Sequence, residues 1–326
     1  MSQKFLQELT KRVQSFIRNK KIKSILVAIS GGQDSILLIK ILNSIQININ
    51  SKYRISYIYI DHQWKKNSYQ QIQHLVNYIT IKKNIIIYQI HKTARSETEC
   101  REQRYNLIYK YANINKYDLI VTGHNSDDKV ETFFQNINRK SSTEGFSSPV
   151  IVNRINSKIF LLRPLLGTSK DNIYALCKKL NLPIWSDSTN YIYKINRNRL
   201  RYELIPYIRI FFNQKIENNL FNSTKNYYYE NEYIKQNATK MYLHYRNKDK
   251  IAISCHNLIK QHIILQIKTL QIFYQYSLQN NISNKIIMKI IHFANIRVNE
   301  KLIIFEDHKY LHILNNKWLY IENKVK

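Results

Sequence analysis

Short apolar runs alternate with longer amphipathic stretches along the first part of the chain. Ser24–Ile29, Ile55–Ile60, Ile85–Ile90 and Tyr117–Thr122 are runs of strand length, rich in Ile and Val. Asp34–Ile45, Ser68–Lys82, Glu97–Asn113 and Asp127–Ile137 carry apolar residues every three or four positions, the spacing of one helix face. Strand followed by helix, four times over, predicts a doubly wound α/β fold with a mostly parallel sheet, since a parallel neighbour is reached only through a crossover. The texture changes near residue 200, where long Asn- and Tyr-rich helical stretches begin. Leu302–Phe305, Tyr310–Leu314 and Trp318–Ile321 close the chain as short runs between polar turns, which predicts a small antiparallel sheet. We therefore expect a catalytic α/β domain over residues 1–212 and a smaller, mainly helical domain over 213–326.

Glycine is scarce, and the five present are Gly31, Gly32, Gly123, Gly145 and Gly167. In so poor a chain each marks a backbone need. The first pair lies in Ser30-Gly31-Gly32-Gln33-Asp34-Ser35, between the apolar run Ile25–Ile29 and the helix pattern beginning Ile36-Leu37-Leu38-Ile39. Strand, tight loop and helix N-terminus form an anion site, because backbone N–H groups, serine hydroxyls and the helix dipole converge on one phosphate. The segment has neither GxxxxGK[ST] nor GxGxxG, which sets aside Walker-type ATPases and dinucleotide folds. A plain turn with Ser30 as cap is the simpler reading. Asp34 in the first turn suits the helix dipole in either case, but beside phosphates it also suits a magnesium ion.

Three further clusters stand out, and two of them, Asp61-His62 and His124 with Asp128 and Glu131, fall where strands end, the edge at which open α/β sheets bind ligands. Asp61-His62 follows the second strand. Glu97, Arg101 and Arg104 share one helix face by their spacing, which an exposed ion-pair ladder also explains. His124, Asp128 and Glu131 follow Val121-Thr122-Gly123 and converge on one helical start, where acids in a first turn are otherwise unremarkable.

Charge adds a partner. Fifty-one Lys and Arg against 22 Asp and Glu leave a net +29, a balance that calls for a polyanion. No apolar run approaches the roughly 18 residues of a spanning helix, so nucleic acid leads over membrane. The wealth of Ile, Asn, Lys and 25 Tyr is also what AT-rich codons produce. The basic amphipathic start, carrying Glu8, leaves little room for a transit peptide before the first strand. Cys100, Cys177 and Cys255 stand singly, as small buried hydrophobes on helices would.

Taken in order, SGGxDS, DH, ExxxRxxRY and GHxxDDxxET, then Arg163-Pro164-Leu165-Leu166, Trp185-Ser186-Asp187-Ser188-Thr189-Asn190 and Asn196-Arg197-Asn198-Arg199-Leu200-Arg201 with Pro206, resemble the tRNA(Ile)-lysidine synthetases. These belong to the N-type ATP pyrophosphatases, and the likeness covers about residues 22–212. It implies that ATP adenylates C2 of the wobble cytidine in a CAU-anticodon isoleucine tRNA. Free L-lysine then displaces AMP. It further implies that Ser30, Gly31, Gly32, Gln33, Asp34, Ser35, Asp61 and His62 bind ATP, that Asp34 holds magnesium, and that Asp34, His124, Asp128 and Glu131 are catalytic. Arg101, Arg104, Arg197 and Arg201 would meet phosphate or tRNA, where a planar fork favours Arg. Many relatives have Gly in place of Gln63 and Lys140, so both loops are places to look for a difference.

The rival readings are a tRNA thiolase of the same superfamily, disfavoured by the isolated cysteines, and a non-catalytic RNA-binding protein, disfavoured by the intact loop. The expected location is the plastid stroma, with a bacterial cytoplasm as the alternative. A homodimer is compatible with the sequence.

Overall fold

The computed structural model describes residues 2–48, 53–63, 68–79, 84–90, 96–139, 143–147, 149–185, 196–280, 282–296, 301–315 and 317–324. Lys140 and the run Ser186–Asn190 lie outside the described residues. The described chain divides into two compact units, residues 1–226 and 227–326.

In the first unit, β1 (Ser24–Ile29), β2 (Arg54–Asp61), β3 (Asn84–Gln89), β4 (Leu119–Thr122), β5 (Val152–Arg154) and β6 (Phe160–Leu162) form one sheet in the order β3-β2-β1-β4-β6-β5. All neighbours pair in parallel except β5 with β6. The order reverses at β1, between β2 and β4, so the crevice of this fold opens at the carboxyl ends of those strands.

Alternation along each strand sends successive side chains to opposite faces. Ile25, Val27 and Ile29 of β1, with Tyr57 and Tyr59 of β2 and Leu119 and Val121 of β4, pack under α1 (Ser2–Asn19), α2 (Gln33–Asn48), α3 (Ser68–Tyr78) and α7 (Lys170–Lys179). Leu26, Ile58, Ile60, Ile120 and Leu161 face the other way, onto Ile108 and Ala112 of α4 (Glu97–Ile114). Helix α1 buries Leu9, Val13 and Ile17, one stripe at four-residue spacing. Helix α2 is apolar nearly all round, and Ile36, Leu37, Leu38, Ile39, Ile41 and Leu42 are at most 1 % exposed. The loop that precedes it is therefore fixed to the most buried helix of the unit.

Observed and expected elements differ at informative places. Strand β4 begins at Leu119 and not at Tyr117, because Lys116 adopts φ +55° and Asp118 turns its carboxylate to the first strand. Its Oδ2 accepts from the Lys23 and Ser24 N–H groups, each at 2.9 Å. The β5–β6 hairpin was not visible in the pattern, since its strands are three residues each.

In the second unit, β7 (Ala252–Ser254), β8 (Leu302–Glu306), β9 (Tyr310–Asn315) and β10 (Trp318–Asn323) form an antiparallel sheet in the order β7-β10-β9-β8. The three expected runs are β8, β9 and β10, and the short β7 joins them. Leu314, Leu319 and Ile321 bury against α12 (Ile263–Leu278) and α13 (Asn284–Asn295). His312 is buried there, stacked on Phe305 at 3.8 Å and bonded to the Tyr274 hydroxyl at 3.1 Å.

Candidate active site

The Ser30–Ser35 loop closes on itself and is braced from α3. The Ser30 N–H donates to the Ser35 hydroxyl at 2.9 Å, and the two hydroxyls lie 3.1 Å apart. Gly31 has φ +82°, and a Cβ there would meet the Gln71 side chain at 2.8 Å, so both conformation and space require glycine. Gln71 is buried. Its amide N–H donates to the Ser30 carbonyl at 2.9 Å, while its amide oxygen accepts from the Tyr59 hydroxyl at 3.2 Å. Nothing in the local sequence marks Gln71, which lies outside every motif and meets the loop only through the packing of α3 on the sheet.

Asp34 sits at the start of α2, against the end of β4. A Cβ on Gly123 would come within 3.2 Å of the Asp34 Cβ, so glycine permits this approach. Asn125 donates to Asp34 Oδ2 at 3.3 Å, whereas Oδ1 has no hydrogen-bond partner among the described residues. Burial, then repulsion from Asp128, pushes the Asp34 carboxyl up to about 7, against the pull of Lys170. A carboxyl with a free oxygen facing a cavity is a donor that would suit a hard divalent cation. Among the described residues no group of three or more His, Cys, Asp or Glu gathers to hold a metal by itself.

Helix α5 (Ser126–Asn138) begins with a reciprocal cap. The Asp128 N–H donates to the Asn125 side chain at 3.0 Å, and the Asn125 N–H donates to Asp128 Oδ2 at 3.1 Å. The same Asp128 carboxylate accepts from Arg197 at 2.5 Å. Burial opposes its charge, but Arg197, the Asn125 N–H and Arg201 together hold it below the usual carboxylate range. Glu131, 1 % exposed, is gripped by the Arg197 Nε–H and by Arg201 at 2.6–2.7 Å, yet burial still leaves its carboxyl raised. Arg197 and Arg201 flank the junction of α8 (Asn196–Arg199) with a π-helical turn, Leu200–Leu204. Both are committed to these carboxylates.

His124 bonds through Nδ1 to the Thr122 hydroxyl at 2.9 Å and through Nε2 to the Tyr105 hydroxyl at 3.3 Å. Burial, with Arg101, Arg163 and Arg104 nearby, keeps its ring neutral despite Asp128. A cavity of about 230 Å³ joins these groups. Its lining includes Ser30, Asp34, Ser35, Arg101, Arg104, Tyr105, His124, Asp128 and Arg197. Of the expected site residues, Gly31, Gly32, Gln33, Asp61, His62, Glu131 and Arg201 lie off that lining. Gln33 donates instead to the Lys170 carbonyl at 3.3 Å. Asp61 accepts from the Gln63 N–H at 2.9 Å, and Gln63 takes φ +57°, so this chain keeps the left-handed turn that glycine would adopt without strain. Both ring nitrogens of His62 lack partners among the described residues.

Lys170, which no motif marks, joins these groups. Burial and Arg201 lower its pKa, while Asp34, Glu131 and Asp128 attract it, so its amine belongs to this charge cluster. The only sequence signal is its position after Arg163-Pro164-Leu165-Leu166. There Leu165 and Leu166 are fully buried, and the Thr168 carbonyl accepts from the first N–H of α5 at 3.0 Å. Cys100, Cys177 and Cys255 are buried on helices, with the last two thiols pushed up to about 12 by burial.

Residues 5–208 match the family model of the PP-loop domain. A "tRNA(Ile)-lysidine synthase, chloroplastic" from Gracilaria tenuistipitata var. liui is 42% identical over 300 residues, covering 92% of this chain and 92% of the relative. The chain belongs to the tRNA(Ile)-lysidine synthase family. A second relative of that name, from Pyropia yezoensis, is 30% identical and covers 93% of this chain and 91% of its own. Among solved structures, the U34-tRNA thiolase NcsA from Methanococcus maripaludis with its 4Fe-4S cluster superposes with TM-score 0.56 at 15% identity, over 69% of this chain and 80% of that one. At that identity the likeness shows the shared fold. The PP-loop domain makes this family ATP-using, and the ligand-binding end of its sheet is the one that carries the cavity described above.

Proposed function

We propose that the protein uses ATP to activate C2 of the wobble cytidine in the CAU-anticodon isoleucine tRNA and joins free L-lysine to it, forming lysidine with release of AMP and pyrophosphate. The observation that carries this reading is the near full-length likeness to lysidine synthases, together with an intact anion loop beside Asp34, His124 and Asp128. Ser30, Ser35 and the backbone of Gly31 and Gly32 hold phosphate. Arg101 and Arg104 at the cavity wall oppose its remaining charge. Magnesium bound by the free oxygen of Asp34 would neutralise the phosphates and draw charge toward the departing pyrophosphate.

Lysine must attack as a neutral amine, so its proton needs an acceptor as the C2–N bond forms and the C2–O bond to AMP breaks. The acceptor that faces the cavity is the ionised Asp128 carboxylate, and the neutral ring of His124, bonded to Thr122 and Tyr105, stands beside it. Arg197 pairs with the Asp128 carboxylate and Arg201 lies 3.8 Å from it, while Glu131 binds both guanidiniums and so fixes where they stand. Asp61 and His62 border the same strand ends and would approach the nucleotide. The plastid is the proposed location, in line with the relatives from Gracilaria and Pyropia named chloroplastic.

The test is pyrophosphate release on a CAU-anticodon transcript with ATP, magnesium and each amino acid in turn, followed by mass spectrometry of the digested RNA. A lysine-dependent mass gain is expected on one cytidine. A mass change equal to sulfur for oxygen would assign a thiolase, and no change with any amino acid would overturn the reading.

A further inference from the structure

A second, larger cavity opens beside the first, with a volume of about 770 Å³. It draws on the same elements, one to two turns further along. Helix α5 offers Asp128 to the first cavity and Phe134, Gln135 and Asn138 to the second, and seven residues of helix span about 10 Å. Helix α4 likewise contributes Arg101 and Arg104 to one, its cap Ser96 and Thr98 to the other. Arg197 lines the first cavity, and Arg199, Leu200, Glu203 and Leu204 line the second.

Its rim is apolar and exposed, which a monomeric soluble surface rarely leaves unused. Leu204, Tyr207 and Phe211 recur at one face of the π-helical turn and α9 (Ile205–Phe211), with side chains 37 %, 53 % and 67 % exposed, and Phe212 follows at 76 %. Tyr207 sits 4.7 Å from the Phe211 ring and 6.1 Å from that of Phe212, tilted by 41° and 52°, so the three rings form one contiguous aromatic patch with faces at different angles. Arg139, exposed, and Arg199, 61 % exposed, line the cavity beside them. Glu203 shares Arg199 at 3.1 Å and Arg139 donates to Thr98 at 3.2 Å, and both guanidiniums keep exposed surface.

We propose that this cavity and its aromatic rim hold the nucleotides next to the reactive base, by stacking on Tyr207 and Phe211 and by phosphate contacts from Arg139 and Arg199. The inference rests on the proposed function, since it takes the occupant to be a single-stranded loop of the substrate tRNA. Exposed rings next to guanidiniums are the combination that splayed bases and their backbone select. A base delivered to Asp128 leaves its neighbours about two turns further along α5.

The experiment uses full-length protein and a CAU-anticodon transcript carrying 2-aminopurine beside the anticodon. Tyr207→Ala and Phe211→Ala are each expected to weaken binding about tenfold, relieve fluorescence quenching, and leave both the salt slope and ATP binding as in wild type. Tyr207→Phe should restore binding. Arg139→Gln should reduce the salt slope by about one, because it removes one phosphate contact. Wild-type affinity and quenching in both ring variants, with the parent protein making lysidine, would overturn the stacking role alone. Ring variants that dissociate a dimer in light scattering, with tRNA binding unchanged, would overturn it in favour of a contact between copies. Loss of tRNA binding in the ring variants of a parent that makes no lysidine would keep the stacking role and overturn the proposed reaction.

Discussion

Replacing Asp34 by Asn should stabilise the fold while abolishing turnover. The carboxyl is held at about 7 in the native state against 3.8 in a free chain, mainly by burial and then by Asp128. Native protein therefore binds a proton that the unfolded chain has already lost between these values, and stability falls as pH rises through that window. A displacement of roughly three units corresponds to about 4 kcal/mol at 1.36 kcal/mol per unit. Asp34 keeps some exposure to the cavity, and screening there reduces the expected figure to about 2 kcal/mol. Asn is isosteric and can still accept from Asn125, so the substitution removes the charge with little change of shape. Urea unfolding with chelator present, at pH 8 and pH 5, measures it. The variant should gain about 2 kcal/mol at pH 8 and under about 1 kcal/mol at pH 5, where the native Asp34 is protonated and only part of the window remains. Lysine- and tRNA-dependent pyrophosphate release should be absent. A variant no more stable than wild type at pH 8, or a gain that grows toward low pH, would show that Asp34 is not a strained carboxylate.

Gln71→Leu should raise the KM for ATP with a smaller effect on kcat, about tenfold in kcat/KM, because the hydrogen bond to the Ser30 carbonyl and the Tyr59 bond that orients Gln71 are both lost; an unchanged KM argues against a brace. Arg197→Ala leaves the Asp128 and Glu131 carboxylates short of a partner and should lower unfolding stability by about 3 kcal/mol, read by urea titration. Lys129 is 4 % exposed, with its amine 4.2 Å from the Phe221 ring and its pKa lowered to about 8 by burial. Its penalty is complete below pH 8 and is relieved as pH rises toward the free value of 10.5, so Lys129→Met should stabilise by about 2 kcal/mol at pH 7 and by nothing near pH 10.5. Equal gains at both pH values would count against a buried ammonium.

Contiguous residues carried what was legible in advance. Strand, Ser30–Ser35 and helix follow one another directly, so the tight loop between β1 and α2 and the parallel α/β order could be read from apolar period and glycine placement. His124, Asp128 and Glu131 share one helical start and were readable for the same reason. Tertiary packing decided the rest. Gln71 reaches Ser30 across 41 positions, and Arg197 reaches Asp128 across 69. No local pattern encodes such distances, because each depends on how α3 and α8 rest on elements far away in the chain. Burial likewise separated carboxylates that look alike in sequence: Asp34 is pushed up by desolvation, whereas Asp128 is held down by two guanidiniums that arrive from beyond residue 195. An isolated motif names the charged groups. Only the fold, by setting their neighbours and their access to water, determines which of them keeps its charge.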